Sequence, residues 1–127
     1  MWSIQWKDNE RHDVEDINHL NRLLDDLSAT HDARSPILVQ LKSPCGEVMM
    51  IGLAGEHSVL DHAAAGGWPA QHSVGDAAAE GTIPFMMGSY DSAMPRAYAI
   101  PTSVARQAIE WFFQNCELST NVVWEND

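Results

Sequence analysis

Basic residues are scarce in this chain. Seven lysines and arginines stand against 18 aspartates and glutamates, a formal net charge of −11. A surface with that excess repels a phosphate backbone, which argues against direct nucleic-acid binding. Cysteine is nearly absent as well. The chain has two, Cys45 and Cys116, far apart and outside any C-x-x-C spacing. That excludes a zinc ribbon or a dithiol redox motif, and both read as free thiols. Long apolar runs are missing: none nears the ~20 residues that span a bilayer. The opening MWSIQWKDNERHD has no basic leader before an apolar stretch. No secretory signal is expected, and the expected location is the cytoplasm.

Motifs of catalysis are missing too. There is no G-x-S-x-G elbow, and the stretches GLAG and AAAGGW lack the P-loop lysine and the dinucleotide spacing. Of the six histidines, His57 and His62 form the tightest group, with Asp61 between them. Their i, i+5 spacing places them on opposite faces of a strand, and His72 would have to return from a loop. No metal and no cofactor are expected. Acid pairs such as Glu56 with Asp61 could in principle act as acid and base. With 18 acids in the chain such pairs arise by chance, so the expected function is not enzymatic.

What is present is a single domain over residues 1–127, with 45% apolar residues, enough for a core. Trp2, Ile4 and Trp6 alternate with polar residues and predict a first strand. The polar run from Lys7 to Asp13 should break it. Asp13 is the expected cap of a helix over residues 14–28, with Val14, Ile17, Leu20, Leu23, Leu24 and Leu27 in one stripe. Asp25 and Asp26 near its end read as a solvated face or as part of a partner-facing acidic patch. Strands are expected at residues 36–41 and 47–53, joined by the turn SPCG, and at 58–62. Residues 63–81 read as a loop with one short strand over 72–74. Further strands are expected at 82–87 and 97–100, with GSYDSAMP as the turn between them. Pro101 should open a second helix whose buried stripe includes Ala105, Ala108, Ile109 and Phe112. A last strand puts Val122 and Trp124 on one face. The expected fold is α+β: a mainly antiparallel sheet of about five to seven strands with two amphipathic helices packed on it.

The acids and the loop aromatics together suggest a protein-binding surface. Trp68 in GGWP has Asp76 and Glu80 nearby in sequence, and Tyr90 in GSYD precedes Asp91. Aromatic anchors ringed by polar groups are what protein–protein contacts require. The plainer reading is that each ring plugs a loop onto the sheet. The candidate contact residues are Glu56, Asp61, Trp68, Asp76, Glu80, Tyr90 and Asp91.

The order of elements resembles one family. EVMMIGLAG is followed by SVLDH, a glycine-containing stretch, a strand over 82–87 and the step Ile100-Pro101. A helix with Ala105, Ala108 and Phe112 comes next, and the ending Val122-Val123-Trp124 completes the pattern. This series resembles immunity protein family 1 of bacterial polymorphic toxin systems. One departure is the segment NCELST, where many relatives carry a turn like T-G-x-R-P. The resemblance implies an α+β protein that binds a cognate toxin domain stoichiometrically. Toxins met by the family include nucleic-acid deaminases among other classes. The expected partner is therefore a toxin with a basic substrate groove, without direct nucleic acid and without a membrane. Two alternatives are a small enzyme using loop carboxylates and an acidic adaptor or nucleic-acid mimic.

Overall fold

In the computed structural model, residues 1–8 and 10–127 are described. Asn9, within the polar run after the first strand, lies outside them. The described residues form ten strands and two α-helices, more strands than the sequence suggested, in the α+β class expected. The strands are β1 (Trp2–Lys7), β2 (Glu10–Val14), β3 (Ile37–Lys42), β4 (Val48–Ala54), β5 (His57–Ala63), β6 (Ala70–Val74), β7 (Thr82–Met87), β8 (Tyr90–Pro95), β9 (Ile100–Pro101) and β10 (Val123–Asn126). The helices are α1 (Ile17–Thr30) and α2 (Thr102–Asn115).

Seven strands run side by side in the order β10-β6-β5-β4-β3-β1-β2, each antiparallel to its neighbour. Strict alternation along β3 to β5 divides the side chains between two faces. Val39, Leu41, Met49, Ile51, Leu53 and Leu60 face one side, with Leu20, Leu24 and Leu27 of α1 and Ala105, Ile109 and Phe112 of α2 packed over them. Leu38 and Val59 face the other side, where Phe85 and Met94 of the β7–β8 hairpin cover them. The central strands are thus buried on both faces, which is why they read as nearly continuous apolar runs. The hairpin comes so close at Gly52 that a Cβ there would lie 2.6 Å from Val59 Cγ2 and 2.8 Å from the Phe85 ring.

Four local expectations need correction. The polar run does not end the sheet: Glu10 to Val14 pair with β1, and Trp6 stacks on His12 at 4.7 Å between ring centroids. An edge strand touching water can be charged throughout, and charge there discourages pairing with other chains. Val14 is a strand residue, so α1 starts later than expected. Asp16 rather than Asp13 caps it, with Oδ1 accepting from His19 N–H at 2.8 Å. The His19 ring answers by accepting from Glu15 N–H at 3.1 Å, a reciprocal cap. GSYDSAMP is not a turn throughout. Only Gly88 and Ser89 turn, and Tyr90 to Pro95 pair with β7 from Met87↔Tyr90 to Thr82↔Pro95. Residues 97–100 are mostly not a strand. A 3-10 turn (Arg96–Tyr98) leads into β9, which pairs only with His57 and Ser58.

Other expectations hold. Pro101 precedes α2, and Cys116 ends it in a left-handed conformation with φ of 55°. Arg106 of α2 reaches Asp25 Oδ1 of α1 at 2.9 Å, so Asp25 is an ion-pair partner across the two helices. Val122 is buried while Val123 is exposed, and Trp124 packs inward on the same side as Val122. Trp124 Nε1–H also donates to Ser119 O at 2.9 Å, which braces the segment between α2 and β10.

Candidate functional site

One cleft of about 450 Å³ opens at the end of the sheet where β4 turns into β5. Its walls include Ala33, Ala54, His57, Asp76, Ile83 and Arg96. Small side chains keep it open: Ala33, Ala54, Ala79 and Ala99 all line it. Its rim is held by short polar contacts. Asp76 Oδ1 accepts from Ala78 N–H at 3.0 Å, and Ala79 N–H donates to Asp76 O at 3.0 Å. The loop after β6 is therefore a closed turn, with the carboxylate at its start. Across the cleft, Thr102 Oγ1–H donates to Gly55 O at 2.8 Å, and Thr102 N–H donates to Glu56 O at 2.9 Å. Those bonds anchor the β4–β5 turn to the first turn of α2 and leave the Glu56 carboxylate in water.

The cleft continues onto two neighbouring hollows. One is lined by Asp32, Arg34 and Glu56, and the other by Arg34, Pro84, Phe85 and Asp91. Arg34 folds back on Asp32, whose Oδ1 accepts from Arg34 N–H at 2.8 Å and whose Oδ2 meets Nη2 at 3.2 Å. The backbone N–H of Arg34, and then its guanidinium, hold the Asp32 carboxyl below its ordinary range. Of the seven candidate residues, Glu56, Asp76 and Asp91 thus border one continuous surface. Glu80 is exposed one residue beyond Ala79, on the same loop. Arg34 and Arg96 belong to this surface and were not singled out from the sequence; His57, weighed there only as a metal ligand, belongs to it too. Only the pairing of distant segments brings them there.

The other three candidates lie elsewhere. Trp68 is 67% exposed at the tip of the β5–β6 hairpin. The seven residues of β5 separate that tip from Glu56, about 20 Å at the ~3.3 Å rise of a strand. Tyr90 is 70% exposed at the start of β8, beside a small hollow of about 130 Å³ lined by Trp6, Gln40 and Met87. It is a strand residue, so it and Asp91 point to opposite faces of the hairpin. Nearby, Asp8 takes both the N–H and the hydroxyl of Ser89, locking one hairpin tip to the other.

Asp61 belongs to a polar cluster in the sheet. It pairs with His72 across β5 and β6, and β10 brings Asp127 beside them. His72 is 7% exposed, its Nδ1 lies 2.7 Å from Asp127 Oδ1, and its ring lies flat on Tyr98 at 3.7 Å. Burial, then the Asp127 charge, push the Asp61 carboxyl up to about 7. Burial, then Asp127, also push the Tyr98 phenol up. Nothing local in the sequence announces this cluster, since His72 and Asp127 are 55 positions apart.

The histidines stay dispersed. His57 is exposed at the cleft, while His62 packs against Phe112 under α2 at 5.5 Å between ring centroids. Glu47 lies 3.9 Å from His62, yet burial dominates and lowers the His62 pKa. Among the described residues, no group of three His, Cys, Asp or Glu has the arrangement of a metal site. No helix among them is long and apolar enough to cross a membrane. Asp61 lies four strand steps beyond His57, about 13 Å at the ~3.3 Å rise per residue. With Glu56 on the turn before His57, the two acids stand farther apart than the about 5–9.5 Å used by cooperating carboxylates.

Comparison with curated proteins finds no match. The family model described as "Immunity protein Imm1" matches residues 8–126. That span takes in both α-helices and every strand except β1, from the turn after β1 through β10. It includes the segments 47–63 and 100–124 whose order first suggested the resemblance. This chain therefore belongs to the Imm1 immunity protein family.

Proposed function

We propose that the protein protects its producer by binding one cognate toxin domain through the cleft face and covering that toxin's substrate groove. The observation that carries this reading is that Asp76 lines the cleft while Glu56 and Asp91 line the two hollows that adjoin it, with Glu80 on the Asp76 loop, on a chain of net charge −11. A toxin that acts on nucleic acid needs a groove that tolerates phosphate, so its groove is neutral or basic. An acidic face speeds encounter with such a surface and selects it over others. The cleft supplies the second requirement, a concavity of mixed character, with alanines, Ile83 and Pro84 beside His57 and Arg96, that a side chain of the toxin can fill. A standard contact of ~1,600 Å² with a few such anchors suffices for tight binding.

The inhibitor itself transforms nothing in this scheme, and it acts in the cytoplasm, where an incoming toxin would reach its target. The partner's expected chemistry is that of a deaminase or a nuclease.

Co-expression with a toxin domain sought in the reading frames next to this gene tests the proposal. Survival together with one-to-one co-purification is the expected result. Survival without a stable complex, or killing that proceeds unchanged, overturns it.

A further inference from the structure

Both cysteines of the chain approach one carboxylate, well away from the cleft. Ser43 and Glu47 close the β3–β4 turn. Ser43 N–H donates to Glu47 O at 2.8 Å, and Glu47 N–H donates to Ser43 Oγ at 3.1 Å. Cys45 is exposed at the tip of that turn, next to Gly46, whose φ of 91° makes the sharp bend. Cys116 arrives from the end of α2, also exposed, with its N–H on Phe112 O at 2.7 Å. Its thiol donates to Glu47 Oε2 at 2.9 Å, and Ser43 and Cys45 both lie near enough to influence its ionisation. The residue two positions after Cys45 therefore touches the Cys116 sulfur, and Cys45 itself lies nearby. Two chain steps span at most about 7.6 Å between Cα atoms, and a tight turn shortens that. A disulfide needs Cα atoms about 4.4–6.8 Å apart, so closing the pair requires the exposed turn tip to carry Cys45 onto Cys116.

The backbone at Cys116 adds a second observation. Its φ of 55° is a conformation that helix ends commonly give to glycine. A side chain held there at a cost in strain points to a use for that side chain.

We propose that Cys45 and Cys116 are a peroxide-responsive thiol pair whose disulfide clips the end of α2 to the β3–β4 turn. The Cys45 thiolate attacks one oxygen of hydrogen peroxide. It becomes a sulfenic acid, and the departing hydroxide takes up the proton Cys45 lost, giving water. The Cys116 sulfur then attacks the Cys45 sulfur, and the sulfenic hydroxyl leaves. Glu47 receives the Cys116 proton and passes it to that hydroxyl, so a second water forms. Two thiols and one peroxide give one disulfide and two waters. Glu47 fixes the order of the two roles, because its hydrogen bond pushes the Cys116 thiol up to about 11 and keeps it protonated until attack. The clip closes a loop of about 70 residues, which favours the folded chain. It does not depend on toxin binding.

Peroxide treatment of the folded protein, followed by alkylation and intact-mass analysis, tests this. The expected result is a monomer lighter by about 2 Da that takes up no alkylating agent, reverts with dithiothreitol and melts about 5 °C or more higher. C116S should instead accumulate a Cys45 sulfenic acid trapped by dimedone, and E47Q should slow closure at least about tenfold. Two cysteines that remain separately alkylatable, or a cross-link formed only between chains, overturns the proposal. A closure rate unchanged in E47Q removes Glu47 from the step.

Discussion

His72 and Asp127 meet at 2.7 Å, Nδ1 to Oδ1, and so tie β6 to the last residue of the chain. Asp61 stands opposite His72 on the next strand. Two carboxyl groups thus share one half-buried patch with a histidine, and the two carboxylates repel when both are charged. Asp61 yields: its carboxyl is held up to about 7, by burial first and by the Asp127 charge second. Protonated, it can donate to Asp127 while His72 holds the same carboxylate from the other side.

The pH dependence follows from the sign of that shift. A carboxyl raised from its ordinary value of 3.8 to about 7 binds its proton more tightly in the folded chain. Its stabilising contribution is complete below about pH 4 and is lost as the pH rises to about 7. Asp61→Asn keeps a donor to Asp127 and removes the ionisation. The variant should gain stability over the wild type as pH rises, by about 1–2 kcal/mol at pH 8 after allowing for solvent screening. Urea unfolding of both proteins at pH 5 and pH 8 measures it. A difference that stays constant with pH would show that Asp61 is ionised throughout.

Gly52 is the close point between the sheet and its second cover. A methyl group there meets Val59 Cγ2 at 2.6 Å and the Phe85 ring at 2.8 Å. Neither neighbour is a flexible chain end free to swing away. Gly52→Ala should cost about 1–3 kcal/mol by overpacking. Shortening the ring in a Gly52→Ala, Phe85→Leu double variant should recover part of that loss, a coupling visible in a denaturant double-mutant cycle.

The two halves of the fold were unequally legible. The helix-covered layer follows from period: Leu20, Leu24 and Leu27 mark α1, and Ala105, Ile109 and Phe112 mark α2. The central strands follow from apolar runs. The outer strands do not, because edge and hairpin strands need bury only one residue. Val14 is the one buried residue of β2, and Met94 the one of β8. Tyr90 and Asp91 consequently read as a turn although they are paired. The cleft was half legible. Its acids are ordinary loop acids, but the alanines that make it concave and the return of Arg96 toward Asp76 exist only after folding.

The start of α1 gives a local test of the same point. Sequence spacing favoured Asp13, while the hydrogen bond from His19 N–H goes to Asp16. Asp16→Ala should destabilise the protein by about 1 kcal/mol, and Asp13→Ala on the exposed edge strand by no more than about 0.5 kcal/mol. Equal losses would return the cap to Asp13.

The two ends of β5 separate competing contact surfaces for the toxin. Glu56 and Asp76 lie at one end, around the cleft, and Trp68 at the other. If the acidic cleft face makes the contact, Asp76→Lys with Glu80→Lys should slow association with the purified toxin domain about tenfold at low salt. The effect should shrink as ionic strength rises, because exposed charges act over a Debye length of about 10 Å at 0.1 M salt. Trp68→Ala should leave the dissociation constant within about threefold, since a ring outside a contact contributes little to it. Stopped-flow association at two salt concentrations reads both. The opposite pattern, normal association of the charge-reversed protein and a large loss with Trp68→Ala, would move the contact to the β5–β6 hairpin tip. It would also make the −11 charge a matter of solubility rather than of partner choice.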